Sequence, residues 1–483
     1  MDQATLIQNV VKNVLSQLQN GAPANGSANG QSQGYRGGGG GAPQQGAFGI
    51  FSDVDQAVKA AAESQRKLQE AGVEVRREIC AMLRRIPTEN AADWGRIELE
   101  ETQVGRLDHK IAKLELLQSI PGVEFLETRA RSGDDGIGLD ECAPWGVIGC
   151  VTPVTHSIPT LTANAINMIA AGNAMVVNAH PSGYRCATTA VRTYNQAIAR
   201  TFGIENLICV IDPPTLESAE GIFTHPDIPL LVVTGGPFVA RAAMKQAKRA
   251  IVAGPGNPPV VVDETADLDN AARAIIAGGS FDNNLLCIGE KEVFVVESVF
   301  DRMMDAMRRA GAQQLDRAQV DQLTAAAFEW KDDHYAVRKE LVGKDPSVLG
   351  QAAGASVGAN VDLLFGETDE ANPFVPEEQM MPFVPFVRVR NADEAIAKAI
   401  KYEHGFGHTA IIHSNNLDTI TRMGRAMNTT IFVVNGPCTA GLGIGGEGYP
   451  SYSISTPTGE GITNPLTFTR FRRLSMSGSL RIV

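Results

Sequence analysis

The run Phe281-Asp282-Asn283-Asn284-Leu285-Leu286-Cys287-Ile288-Gly289-Glu290-Lys291 sets one thiol between polar residues and a glycine, just ahead of the apolar run Glu292-Val293-Phe294-Val295-Val296. Such a loop-to-strand junction can present a cysteine to a substrate. A thiol attacks a carbonyl far better than a hydroxyl does, because a few per cent is thiolate at neutral pH and nearby backbone N–H groups raise that share. Cys287 is the nucleophile this run offers, although the run alone equally allows a small buried hydrophobe. Cys438 lies in another glycine-rich loop and is its rival.

A nucleophile needs elements to position it and its substrates. Gly146-Val147-Ile148-Gly149-Cys150-Val151 reads as a strand ending at Thr152-Pro153, followed by a helix that Pro159 opens and Gly172 stops. The strand Ala174 to Val177, a helix from Cys186 to Thr201 and the strand Leu207 to Ile211 come next. The short β-branched runs Leu230 to Val233 and Pro259 to Val262 suit strands buried on both faces. The alternation predicts an α/β fold with a doubly wound parallel sheet. Ligands of such sheets sit beyond the carboxyl ends of the strands, where three turns fall: Thr152-Pro153-Val154-Thr155-His156, Asn178-Ala179-His180-Pro181 and Thr234-Gly235-Gly236-Pro237. The last lets backbone N–H groups approach a phosphate or a nicotinamide ring ahead of a helix from Phe238 to Lys248. Before these, Asp53 to Leu117 is helical in pattern with a break near Ile86-Pro87-Thr88, and polar Glu127 to Glu141 suits a projecting hairpin.

Composition narrows the function. A net charge of -12 without a Lys/Arg cluster speaks against a nucleic-acid partner. The seven cysteines form no CxxC pair and no zinc-like spacing with histidine, which predicts free thiols, no disulfides and no structural metal. No apolar run reaches the roughly 18 residues of a membrane span. Near the N-terminus, Leu6, Val10, Val11, Val14, Leu15 and Leu18 form one face of an amphipathic helix. The Gly/Ala/Ser/Asn/Gln-rich segment that follows is a tether spanning roughly 30 Å as a random coil. A short helix on such a tether reads most simply as a docking peptide, the alternative being a frayed tail or a helix that folds back on its own domain.

Taken in order, Thr152-Pro153, Ala171-Gly172-Asn173-Ala174, Thr234-Gly235-Gly236, Gly254-Pro255-Gly256-Asn257-Pro258-Pro259, the run ending Cys287-Ile288-Gly289-Glu290-Lys291, and Glu378 resemble the aldehyde dehydrogenase superfamily over Val54 to Met476. The likeness is greatest to its CoA-acylating branch, the propionaldehyde and acetaldehyde dehydrogenases of bacterial microcompartments. The resemblance implies a Rossmann-type nucleotide-binding domain (47–255, with 127–141 an oligomerisation hairpin), an α/β catalytic domain (256–445) and an oligomerisation tail (446–483). Residues 1–19 would be the targeting helix and 20–46 its linker.

By the same resemblance, Cys287 adds to the aldehyde, Thr152, Pro153, Thr234, Gly235 and Gly236 hold the nicotinamide cofactor, and Glu378 binds its ribose. Asn178-Ala179-His180 stands where many relatives carry a lysine for the adenosine ribose, so the choice between NAD, the cofactor the resemblance implies, and NADP is open. Hydrolytic relatives carry a water-activating glutamate at the place of Val252-Ala253, and none is here. A thioester without that base awaits a better nucleophile, which makes coenzyme A the co-substrate and an acyl-CoA the product. Thr155 and His156 replace the asparagine that serves hydrolytic relatives as oxyanion donor, and His156 or His408 could assist the incoming thiol. The expected activity is oxidation of propionaldehyde, acetaldehyde or lactaldehyde by a homodimer or homotetramer. Its place would be the lumen of a cytoplasmic microcompartment, entered through shell or core proteins that bind residues 1–19. The alternatives are a hydrolytic aldehyde dehydrogenase and a non-catalytic cargo or scaffold protein on the same fold.

Overall fold

The computed structural model describes residues 46–482. The N-terminal amphipathic helix and most of its linker lie outside the described residues. Two parallel sheets form the frame. The first has six strands in the order Ile50–Phe51, Ile208–Ile211, Ala174–Ala179, Val147–Thr152, Leu230–Thr234, Arg249–Ala253. Its central strands are buried on both faces, which is why they read as unbroken Val/Ile/Leu runs. From Val147–Thr152 the chain winds outward to one side, then returns to lay Leu230–Thr234 on the other. The point where strand order reverses thus falls between the ends of these two strands, the usual ligand crevice of an open α/β sheet.

The second sheet has seven strands in the order Gln313–Gln314, Leu364–Thr368, Phe383–Val389, Glu292–Val296, Pro259–Val262, Thr409–His413, Ile431–Val434. Glu292–Val296 lies at its centre, so the loop carrying Cys287 runs straight into a strand paired on both sides. A third, antiparallel sheet joins Arg129–Gly133, Gly136–Pro144 and the tail strand Thr469–Ser477, and Phe471, Leu474 and Met476 are exposed on it.

Two local readings change. The long helix Val54–Glu89 runs through Pro87, and its one non-helical residue is Gly72 (φ 85°, ψ -176°). Pro87 sits near the C-terminal end, where nearly the whole helix is already built before the ring interrupts the ladder. The helix expected from Phe238 to Lys248 is Pro237–Met244, and Arg249–Ala253 departs as the sixth strand. This edge strand starts with an exposed arginine after a basic stretch, so it lacks the apolar signature of its neighbours. Helix Ser157–Ala170 is buried on every side between the first sheet and its neighbours, so the residue capping its start, His156, has a fixed position.

Candidate active site

Asp282, Asn283 and Asn284 all have positive φ, at 50°, 57° and 61°. Three successive non-glycine residues in the left-handed region are costly for most side chains, and Asp and Asn are the types that tolerate it. Each is anchored. The Asp282 carboxylate pairs with the Lys113 ammonium and accepts from the Arg106 N–H at 2.9 Å, while its own N–H donates to His109 Nδ1 at 2.8 Å. Asn283 Nδ2 donates to Gly343 O (3.0 Å) and Asp345 Oδ1 (2.9 Å). Asn284 Nδ2 donates to Glu290 O at 3.0 Å, and the buried Lys291 ammonium donates to Asn284 O and Oδ1, both at 2.7 Å. Gly105 leaves room for this turn, because a Cβ there would stand 2.2 Å from Asp282 Oδ1.

The turn delivers Cys287 to a narrow cavity of about 50 Å³ that is also lined by Lys113, His156, Phe281, Leu442 and Tyr452. Cys287 is half-buried, and the loss of water pushes its thiol up to about 12; the Glu378 carboxylate adds to the rise, while Lys291 and the N–H groups of Cys287 and Ile288 oppose it. Glu378 is itself held at about 7 by burial, against the pull of Lys291 and the Gly256 N–H. Replacing Glu378 by glutamine is therefore expected to lower the Cys287 pKa and speed its alkylation by iodoacetamide at pH 8 several-fold; an unchanged rate would show that this carboxylate does not act on the thiol.

Gly256 passes close above Cys287: a Cβ on it would lie 2.3 Å from the Cys287 carbonyl oxygen and 3.1 Å from Cγ of His408. Buried His408 shares its Nδ1 with Thr409 Oγ1 at 2.9 Å, leaves Nε2 without a partner, and is held near 4 by burial. It stays neutral at physiological pH. Cys438 is fully buried, its N–H donates to Glu290 Oε1 at 2.8 Å, and burial raises its thiol well above the usual range. All seven cysteines are unpaired.

At the first sheet's edge, Thr152 and Thr234 end the two strands that flank the crevice. Thr152 Oγ1 is buried without a partner, and its carbonyl accepts from the His180 N–H at 3.1 Å, so Pro153 and His180 stand at the same edge. Thr234 Oγ1 shares a hydrogen bond with Ser453 Oγ at 2.7 Å, and a Cβ on Gly236 would meet nothing within 4 Å. This open, backbone-lined edge with an orphaned hydroxyl fits a nucleotide. The loop from Ala253 to Gly256 connects it directly to Cys287 and Glu378.

The sequence reading had not singled out Lys113, Lys110, Glu98, Lys291 or Tyr452 as functional. Lys113 and Lys110, three residues apart on helix Leu107–Glu115, are almost wholly buried, and Lys110 pairs with Glu98 at 3.3 Å. Tyr452 OH donates to Lys113 O at 2.8 Å. A buried helical face carrying two lysines was the one available signal, since such lysines almost always have partners. Among the described residues, no cluster of His, Cys, Asp and Glu is arranged to hold a metal, and no helix is long and apolar enough to cross a membrane.

Comparison with known proteins agrees with this arrangement. The family model described as "Aldehyde dehydrogenase family" matches residues 50–449. The chain is 44% identical over 440 residues to the acetylating acetaldehyde dehydrogenase EutE of Salmonella typhimurium, covering 90% of this chain and 94% of that protein. A crystal structure of Rhodopseudomonas palustris propionaldehyde dehydrogenase with bound CoA and an acylated cysteine superposes with a TM-score of 0.88 at 39% identity, covering 90% of this chain and all of that one. The propionaldehyde dehydrogenase of the Clostridium phytofermentans fucose utilisation bacterial microcompartment gives a TM-score of 0.87 at 40% identity, with coverage of 90% and 100%. With a loop-borne cysteine at the centre of one parallel sheet and a nucleotide-type crevice at the edge of the other, the chain belongs to the aldehyde dehydrogenase family.

Proposed function

We propose that the protein oxidises a short-chain aldehyde, such as propionaldehyde, acetaldehyde or lactaldehyde, to its acyl-CoA, using NAD and coenzyme A. The observation that carries this reading is the pairing of Cys287 with a position that lacks a water-activating base. Val252 and Ala253 are buried strand residues, and the Val252 N–H donates to Thr458 Oγ1 at 3.0 Å. No carboxylate can act from there. The likeness to an enzyme captured with CoA and an acylated cysteine supports thiolysis as the second half-reaction. A narrow cavity of about 50 Å³ suits a small aldehyde.

In the first half-reaction the half-exposed Cys287 thiol gives up its proton to solvent, and the thiolate adds to the carbonyl carbon while the carbonyl π pair moves to oxygen, giving a thiohemiacetal. NAD, when bound, accepts the hydride from that carbon. Thr152, Pro153, Thr234, Gly235 and Gly236 would hold its nicotinamide end, Glu378 its ribose, and His180 would face its adenosine half. Collapse leaves a thioester on Cys287. The CoA thiolate then attacks the thioester carbon, and the Cys287 thiolate departs.

The reading extends to assembly and place. Residues 47–255 and 256–445 serve as nucleotide-binding and catalytic domains, while hairpin 127–141 and tail 446–483 serve a homodimer or homotetramer. The exposed Phe471, Leu474 and Met476 on the three-stranded sheet support that role. Residues 1–19, on linker 20–46, dock to shell or core proteins and carry the enzyme into a microcompartment lumen, in keeping with the likeness to a microcompartment enzyme.

The test is NADH formation at 340 nm from propionaldehyde and NAD, with and without CoA. Sustained turnover is expected only with CoA, and without it a single stoichiometric burst. Sustained turnover without CoA would replace this reading with the hydrolytic one, and no turnover with any short aldehyde and either nucleotide would replace it with a non-catalytic role.

A further inference from the structure

Within the cavity that Cys287 faces, most polar side chains are already engaged. The Lys113 ammonium has three protons and three acceptors: the Asp282 carboxylate, Thr155 O at 3.1 Å and His156 Nδ1 at 3.0 Å. The hydroxyl of Ser451 is shared with Ser453 O and Thr463 Oγ1, and that of Tyr452 donates to Lys113 O. Thr155 does not line the cavity. Of the polar side chains lining it, among the described residues, His156 Nε2 and Thr439 Oγ1 are not engaged by these hydrogen bonds.

The two ring nitrogens of His156 have different fates. Nδ1 lies 3.0 Å from the Lys113 nitrogen, and an ammonium has no lone pair to offer, so with Lys113 charged against Asp282 the neutral ring accepts at Nδ1 and carries its proton on Nε2. Burial and the adjacent Lys113 charge hold the ring well below its ordinary pKa, which keeps it neutral throughout the physiological range. The ring is therefore a fixed N–H donor. Its backbone is equally fixed, at the start of the wholly buried helix Ser157–Ala170.

Resting on the aldehyde-oxidising reading above, we propose that His156 Nε2–H is the side-chain oxyanion donor, hydrogen-bonding the aldehyde oxygen as Cys287 attacks, with Lys113 as the positioning residue that sets its tautomer. As the C–S bond forms, the carbonyl π pair moves to oxygen and the Nε2–H donates to that oxyanion without transferring its proton. When hydride leaves for the nicotinamide, the pair returns to form the thioester carbonyl. The same bond forms again when CoA thiolate attacks, so one donor serves both half-reactions. With Nε2 protonated, His156 cannot be the base that ionises Cys287.

Matched variants test this. His156→Phe and His156→Gln both fill the space and both lose the Nδ1 acceptor, but only glutamine offers an N–H near the Nε2 position. The pre-steady-state NADH burst with propionaldehyde is expected to slow about 10²-fold in His156→Phe, with much of the rate restored in His156→Gln. Iodoacetamide labelling of Cys287, which involves no oxyanion, should proceed at the native rate in both. Thr439→Val should retain the native burst.

A native burst in His156→Phe, or loss of the burst in Thr439→Val instead, would overturn the assignment. Labelling slowed in step with the burst would overturn it too, by making His156 the base. If the native enzyme oxidises no aldehyde, the functional reading fails and takes this assignment with it; an active native enzyme whose His156→Phe variant matches it refutes the assignment alone.

Discussion

Cys287→Ala is expected to reduce CoA-dependent NADH formation by about 10⁵-fold or more, to the background of the assay, because in the proposed mechanism Cys287 takes part in every chemical step. The structure says why nothing replaces it. Cys438 is sealed from the cavity's solvent, its thiol is raised well above the ordinary range by burial and by Glu290, and its N–H is tied to that same carboxylate. Mass spectrometry of the native protein incubated with propionaldehyde and NAD, without CoA, should show one acyl adduct on the peptide carrying Cys287. An adduct on Cys438, or a Cys287→Ala variant retaining a hundredth of native turnover, would move the nucleophile elsewhere. The same protein should still bind NAD, since the crevice between Thr152 and Thr234 belongs to the other sheet.

Much of this site was legible because its signals are local. A thiol followed by glycine and a β-branched run, and turns of Thr-Pro and Thr-Gly-Gly at strand ends, need only a few consecutive residues to be read. Strands buried on both faces announce themselves as Val/Ile runs, whereas Arg249–Ala253, an edge strand with an exposed start, does not. Pro87 illustrates a local signal that misleads: a proline near the end of a long helix interrupts little of its ladder, while Gly72 marks the actual irregularity. The support beneath Cys287 was illegible for a different reason. Lys113 and Asp282 are 169 residues apart in the chain, and only the folded topology brings helix Leu107–Glu115 beneath the left-handed turn. No window of sequence contains that pair. The run Asp282-Asn283-Asn284 was visible, and its tolerance of positive φ was a clue to the turn, but not to what would hold it.

Breaking that pair should cost the protein about 3–5 kcal/mol, because Asp282→Asn leaves the Lys113 charge buried beside an amide instead of a carboxylate. The loss should depend on pH in a defined sense. Burial alone would raise the Asp282 carboxyl, but Lys113 and Lys110 outweigh it and hold the group at about 2, below its unfolded value of 3.8. A depressed carboxyl contributes stability that is fully present above the unfolded value and fades as pH falls toward 2. The stability gap between native protein and Asp282→Asn, measured by urea unfolding, should therefore narrow by about 2 kcal/mol between pH 5 and pH 2. A gap independent of pH would mean that the carboxylate is not ionised against Lys113.

The double variant Lys113→Met with Asp282→Leu separates stability from positioning. Apolar replacement of a buried ion pair is often neutral or stabilising, so the double variant should recover most of what either single change loses. Activity should not recover with it: without Asp282 the left-handed turn loses its tie to the Arg106 N–H, and without Lys113 the His156 ring is free to take either tautomer. A double variant that is both stable and fully active would show that Cys287 is positioned by the remaining anchors at Asn283, Asn284 and Lys291 alone. A stable but slow one would locate the cost of this buried charge pair in the geometry it imposes on the nucleophile.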